Sequence, residues 1–212
     1  MRIRSQAAAP PPWALFSYVL RYPDAEVADS HDALAAEVAA LPGGPVREAL
    51  ERFLAGWTGN ATALAARYVE TFDLRRRASL YLTYYAHGDT RERGMALLRL
   101  KKLYRAAGLP MDSAELPDHL PVMLAFAALA PAGHGEALLA EHRPPIELLR
   151  LSLHDLSSPY AHVLDAIAAV LPALSVTERG EVARLAREGP PEEAVGLQPY
   201  GPPEAMPEGA YV

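Results

Sequence analysis

The sequence predicts an all-α protein, a single compact domain of about nine to eleven helices. Three observations carry that prediction. Half of the 212 residues are apolar, enough for a sizeable core at this length. Ala and Leu dominate that half while β-branched residues are sparse, a balance that favours helix over strand. Apolar residues recur at spacings of three and four, and no segment alternates with the two-residue period of a half-buried strand. No internal repeat is present.

Residues 1–10 read as disordered, and the helical domain is expected over 11–175. Pro12 suits the first turn of a helix over Trp13–Arg21, with Trp13, Phe16, Val19 and Leu20 inward. Tyr22-Pro23-Asp24 breaks it. One helix is expected over Ala25–Leu41, stopped by Pro42-Gly43-Gly44-Pro45, and another over Val46–Trp57. A fourth covers Ala61–Phe72, and a fifth runs from Ala78 to His87 with Gly88 as its C′ glycine.

Asp89, with Glu92 three residues on, reads as a capping box for the longest helix, which Gly108 and Pro110 stop. Gly94 inside that helix costs about 1 kcal/mol relative to alanine, so a close helix contact is expected there. Pro121 is tolerated only in a first turn, which sets the next helix to start near Asp118 and end near Leu129. Helices follow at Glu136–His142, Pro145–Leu156 and Pro159–Leu171, with a weaker charged helix within 176–189. Pro and Gly crowd the sequence from Gly189 onward, so 190–212 reads as a disordered tail, dispensable for folding.

The composition excludes several functions. With no cysteine there is no disulfide, no iron–sulfur ligation and no thiolate zinc site. None of the seven histidines forms an H-x-x-x-H pair, so no metal site is expected. There is no G-x-x-x-x-G-K-[ST] loop and no G-x-S-x-G elbow, and no pair of carboxylates is marked as acid and base. The N-terminal stretch lacks the apolar region of a secretory signal, and no run of about 18 apolar residues exists for a membrane span. A soluble, cytoplasmic protein is expected.

The net charge of −6 opposes non-specific nucleic-acid binding, yet it is unevenly spread. Residues 75–105 hold nine Lys/Arg against two acids, and the remainder holds 11 basic and 24 acidic residues. That cluster is either a solvated helix face or one basic side of a polarised molecule. The same region is rich in aromatics: Tyr68 with Phe72, then Tyr81, Tyr84 and Tyr85. Such spacing suits a core. This density of aromatics exceeds what one helix face buries, however, so at least one tyrosine is expected at a groove wall. Asp118 has two readings, a simple helix cap or a functional acid beside Glu115 and His119.

Two motifs give these residues a likeness. Tyr68-x-x-x-Phe72-Asp73 continues into Arg76, Ser79 and Leu80, then His87-Gly88, Arg91, Arg93 and Gly94. Glu115-Leu116-Pro117-Asp118-His119-Leu120-Pro121 follows. Together with Tyr22-Pro23-Asp24 and Ser158-Pro159-Tyr160-Ala161, this pattern resembles the NarJ branch of the TorD/DmsD/NarJ family, dedicated chaperones of molybdenum-containing oxidoreductases. The likeness covers roughly 20–175.

The resemblance implies an all-α fold and no catalysis. It implies cytoplasmic binding of the immature catalytic α subunit of a respiratory nitrate reductase through its N-terminal segment. The client would be held for insertion of the molybdenum bis-guanine-dinucleotide cofactor, with membrane docking delayed and cofactor-delivery proteins as further partners; no cofactor stays bound to the chaperone itself. The residues add a groove suited to a basic amphipathic peptide, with Tyr68, Phe72, Tyr84 and Tyr85 as wall and Asp73, Glu115 and Asp118, beside His119, as rim. The alternative is a helical regulatory or nucleic-acid-binding module using the basic 75–105 face, with tyrosines stacking beside arginines.

Overall fold

A computed structural model of the chain describes residues 10–111 and 114–191, which form twelve α-helices and no named strand. The expected disorder of 1–10 and 190–212 falls almost wholly outside the described residues. α1 (Trp13–Val19) begins directly after Pro12 and buries Trp13, Leu15, Phe16 and Val19.

The stretch expected as one helix over 25–41 is two, α2 (Ala25–Asp29) and α3 (His31–Ala40). Local side-chain bonds divide it. The Asp24 carboxylate accepts the Val27 N–H at 3.0 Å and fixes the start of α2, while the Ser30 hydroxyl donates to the Val27 carbonyl at 2.7 Å. Ser and Asp compete with the helical ladder in this way. That break is why twelve helices stand where eleven at most were expected.

α4 (Pro45–Gly56) carries Pro in its first turn, and α5 (Ala61–Tyr68) starts where the Asn60 side chain accepts the Ala63 N–H at 2.9 Å. The chain then widens into one π-helical turn over Val69–Asp73, closed by the Leu74 N–H on the Val69 carbonyl at 3.1 Å. A turn of this kind inserts a residue and re-aims the side chains beyond it. A 3₁₀ turn at Arg76–Ala78 leads to α6 (Leu82–His87).

α7 (Arg91–Ala106) corrects two expectations. Its N-cap position is Thr90, whose hydroxyl turns back to the His87 carbonyl, and Asp89 caps nothing. Asp89 instead pairs with Arg93 one turn on, at 3.0 Å. Gly94 is exposed, and a Cβ added there would meet nothing within 4 Å, so no helix packs closely against it.

α8 (Leu120–Leu129) starts two residues later than expected, with Pro121 in its first turn. α9 (His134–Glu141) follows. α10 (Arg143–Asp155) takes Pro144 and Pro145 into its first turn, where a missing N–H costs nothing. α11 (Tyr160–Val170) and α12 (Val176–Glu188) complete the fold, the latter opened by a Ser175/Glu178 capping box.

α11 lies along α4 at the centre, α1 packs on α8, and α10 bridges α11 and α12. At the middle, Phe53, Trp57 and Tyr160 form an aromatic knot, the Trp57 indole donating to the Tyr160 hydroxyl at 3.1 Å. Burial pushes the pKa of that hydroxyl up to about 12. Tyr68 and Phe72 pack on Tyr160 with ring centroids at 5.9 and 4.9 Å. The first motif is thus anchored to the core. Outside the knot, Glu147, Arg143, Arg150 and Asp165 tie α10 to α11, with Arg150 bonding both Glu147 and Asp165.

Candidate functional site: an acid-rimmed aromatic groove

The two motifs, far apart in sequence, meet along an antiparallel bridge between Tyr81 and His119. The Leu82 N–H donates to the Asp118 carbonyl at 3.0 Å and the Leu120 N–H to the Leu80 carbonyl at 2.8 Å. These irregular segments satisfy each other's backbone groups, which buried loops must do somewhere. Pro117 is held from below, its carbonyl accepting the Tyr104 hydroxyl at 2.7 Å.

The bridge sets side chains as well. The Tyr81 hydroxyl donates to Glu115 Oε1 at 2.8 Å, and the Tyr81 and His119 rings lie 5.0 Å apart. Glu115 Oε2 stands 3.6 Å from His119 Nδ1. Burial pushes the pKa of the Tyr81 hydroxyl up to about 12, and its bond to Glu115 adds to the rise. Burial alone would raise Glu115. The Leu116 N–H, the Tyr81 hydroxyl and His119 outweigh it and hold the carboxyl below its ordinary value. For His119, burial dominates and lowers the imidazole below its ordinary value, against the opposing pull of Glu115, Asp118 and Asp73. Near neutral pH the site therefore carries an ionised Glu115 beside a neutral imidazole.

These residues border a groove of about 520 Å³. Its floor is Tyr68, Phe72 and Leu80. One side is Pro121, Val122 and Ala125 of α8, and the other is Ser17, Arg21, Tyr22 and Asp24 at and after α1. Tyr81, His119, Glu115 and Asp73 close the rim. Among the described residues, three acids, Asp24, Asp73 and Glu115, face one cation, Arg21. The walls are stiff. Tyr68 donates to the Leu20 carbonyl at 3.1 Å and meets the Tyr22 ring edge-on at 5.5 Å, while the Ser17 hydroxyl donates to the Pro121 carbonyl at 2.7 Å. Tyr22 is half exposed and presents an aromatic edge to any occupant.

The structure brings Tyr68, Phe72, Asp73, Glu115 and His119 into this groove and leaves Tyr84, Tyr85 and Asp118 out of it. Tyr85 is buried on the far side, its hydroxyl shared between the Arg77 and Ser79 carbonyls. Tyr84 stands under the Arg93 guanidinium, 5.7 Å from ring centre to Cζ.

Asp118 is fully buried and is neither a rim acid nor a cap of its own helix. Its Oδ2 accepts from the Thr83 N–H and hydroxyl, so it caps α6 from across the bridge, and Arg93 Nη2 lies 3.6 Å away. Burial of a short acid between two segments leaves no trace in local sequence. Tyr81, Tyr22, Arg21 and Asp24 are among the groove residues that sequence reasoning did not assign; Tyr22-Pro23-Asp24 was visible only as a helix break and a minor part of the likeness.

Several of the remaining motif residues hold local structure. Ser79 Oγ accepts the Tyr81 N–H at 3.2 Å, and His87 ends α6 at Gly88, whose φ of 56° favours glycine. Leu120 and Pro121 are buried at the start of α8, and Leu116 is half-buried beside Pro117. Arg76 and Arg91 are exposed. The basic 75–105 stretch is not one face with tyrosines interleaved, because Tyr85 and Tyr104 are buried and Arg75–Arg77 line a different groove from this one.

Residues 31–166 match the family model described as nitrate reductase delta subunit. The chain is 38% identical over 156 residues to the nitrate reductase-like protein NarX of Mycobacterium tuberculosis, covering 73% of this chain but only 23% of that protein. It is 33% identical over 170 residues to the probable nitrate reductase molybdenum cofactor assembly chaperone NarJ of Bacillus subtilis, covering 80% of this chain and 92% of the relative. The Escherichia coli K12 assembly chaperone NarJ is 34% identical over 156 residues, with 72% and 66% of the two chains covered. The chain thus spans under a quarter of the mycobacterial relative and most of the Bacillus one.

Proposed function

The chain belongs to the nitrate reductase delta-subunit family, and from that premise we propose that it is an assembly chaperone for the catalytic α subunit of a nitrate reductase. It binds the N-terminal segment of the immature subunit in the groove floored by Tyr68 and Phe72, with Tyr22 at one side and Tyr81, His119 and Glu115 at the rim. It acts in the cytoplasm, catalyses no reaction, and keeps the client open to insertion of the molybdenum cofactor, which is cargo for the client. Membrane docking of the client waits on its release. Among the described residues no helix is long and apolar enough to cross a membrane.

The observation that supports this reading best is the acid-rimmed aromatic groove at the junction of the two motifs. Its apolar floor suits one face of an amphipathic helix, and Asp24, Asp73 and Glu115 suit basic residues flanking that face. Rim charges contribute mainly to encounter rate and salt sensitivity, and the anchored aromatic floor to affinity. The test is calorimetry with a synthetic N-terminal peptide of the α subunit and a scrambled control. Binding of the first alone, weakening as salt rises, is expected. A chain that captures the whole subunit but neither peptide would place the contact elsewhere.

A further inference from the structure

A second groove, of about 590 Å³, lies away from the first and shares no lining residue with it. Its apolar lining comes from Tyr85, Leu148, Leu151, Leu156 and Leu185, between the 3₁₀ turn, α10 and α12. Leu151 is 41% exposed there. Arg75, Arg76 and Arg77 stand over one edge, all exposed, and Asp155 is the acid of the lining among the described residues. Arg75 reaches Glu70 at 3.6 Å, whereas Arg76 and Arg77 meet no acid among the described residues. An apolar trough beside unanswered cations fits a segment that is apolar and acidic, the opposite charge preference from the proposed client groove.

The chain itself delivers such a segment to this place. Gly189, at φ 74°, turns the backbone out of α12, and Gly189 and Pro190 already line the groove. Pro191 then lies against Gly88, where any Cβ would collide with its carbonyl oxygen. The sequence continues E-E-A-V-G-L-Q-P-Y-G-P-P-E-A-M-P-E-G-A-Y-V, with four glutamates, no lysine or arginine, and apolar residues at Val195, Leu197, Tyr200 and Met206. We infer that residues 192–212 dock in this groove, with glutamates against Arg76 and Arg77 and apolar side chains over Leu148, Leu151 and Leu185. Tethering at Pro191 holds the segment at an effective concentration of about millimolar, so a weak contact suffices to occupy the site. A partner segment of the same chemistry has to displace it.

The absence of cysteine permits a direct test on the full chain. A nitroxide on Ala194→Cys is expected to broaden the methyl resonances of Leu148, Leu151, Leu156 and Leu185 selectively. The broadening should vanish at about 1 M salt, where the Debye length is about 3 Å. It should vanish likewise in the Arg76→Gln/Arg77→Gln chain, whose exposed substitutions leave the melting temperature unchanged. The salt arm needs no variant. Absence of broadening at these methyls, broadening centred on Leu80 and Val122, or broadening that survives both salt and the arginine substitutions overturns the inference. So does broadening of label-free chains mixed with labelled ones, which means that a second copy is the occupant.

Discussion

Asp118→Asn separates a structural acid from a ligand-binding one. Read from sequence as a rim acid, Asp118 would lose its charge without loss of stability, and client binding would suffer. The structure reverses this. Asp118 is 0% exposed, its Oδ2 receives two bonds from Thr83, and Arg93 beside it is 17% exposed. Asparagine still offers an acceptor to Thr83, so the α6 cap survives in part. What disappears is the counter-charge of a largely buried guanidinium. Breaking a buried pair from one side costs about 3–5 kcal/mol, and the second partner of Arg93, Asp89 at 3.0 Å and largely exposed, offsets some of that. The expected loss is about 2–4 kcal/mol. For a chain of this length that is about 4–16 °C in melting temperature. Thermal melts of the single variants and of Asp118→Asn/Arg93→Gln read it directly. The double variant should lose less than the two singles together, a coupling of about 0.5–3 kcal/mol. An unchanged melting temperature with lost peptide binding would refute the argument and return Asp118 to the groove.

Three further outcomes are expected. Glu115→Gln should weaken the basic peptide by about 1–3 kcal/mol and flatten its salt dependence, measured by calorimetry, while the fold stays intact because the Tyr81 hydroxyl keeps an acceptor. Acid should act on the same groove. His119 is held below its ordinary value of 6.5, so it is neutral at pH 7 and must gain a proton as pH falls; its contribution to stability is present above about 6.5 and is lost on descent through its lowered folded value. Glu115, held below its ordinary 4.5, keeps its charge to lower pH than a free carboxylate, so affinity for a cationic peptide should fall as the pH descends below 6.5 and His119 gains its proton, and should fall less in His119→Gln. Two glycines should respond with opposite sign in chemical denaturation. Gly94→Ala, into open space on an exposed helix, should stabilise by about 0.5–1 kcal/mol, and Gly135→Ala, whose Cβ would run into the backbone of Ala127 where α9 crosses α8, should destabilise by about 1–3 kcal/mol.

The helices were legible in the residue pattern alone. Their spacing of apolar residues, their proline starts and their glycine stops are local signals, and α4, α8, α10 and α11 lie within a few residues of where those signals put them. The two motifs and their likeness were legible too, as were Tyr68, Phe72, Asp73, Glu115 and His119, whose residue types stand out from a helical scaffold. Packing settled which of these face one another. Whether Tyr85 or Tyr81 turns to the groove depends on the bridge with His119, and backbone pairing between segments so distant in sequence has no local signature. The role of Asp118 depends on Thr83 and Arg93 arriving from other elements. A carboxylate at a helix entrance looks the same in sequence whether it caps its own helix, caps a neighbour's or meets solvent, because only the surrounding packing sets its burial. The π turn at Val69–Asp73 likewise lies where Tyr68 and Phe72 pack on Tyr160, and that contact exists only once α5 and α11 share a core.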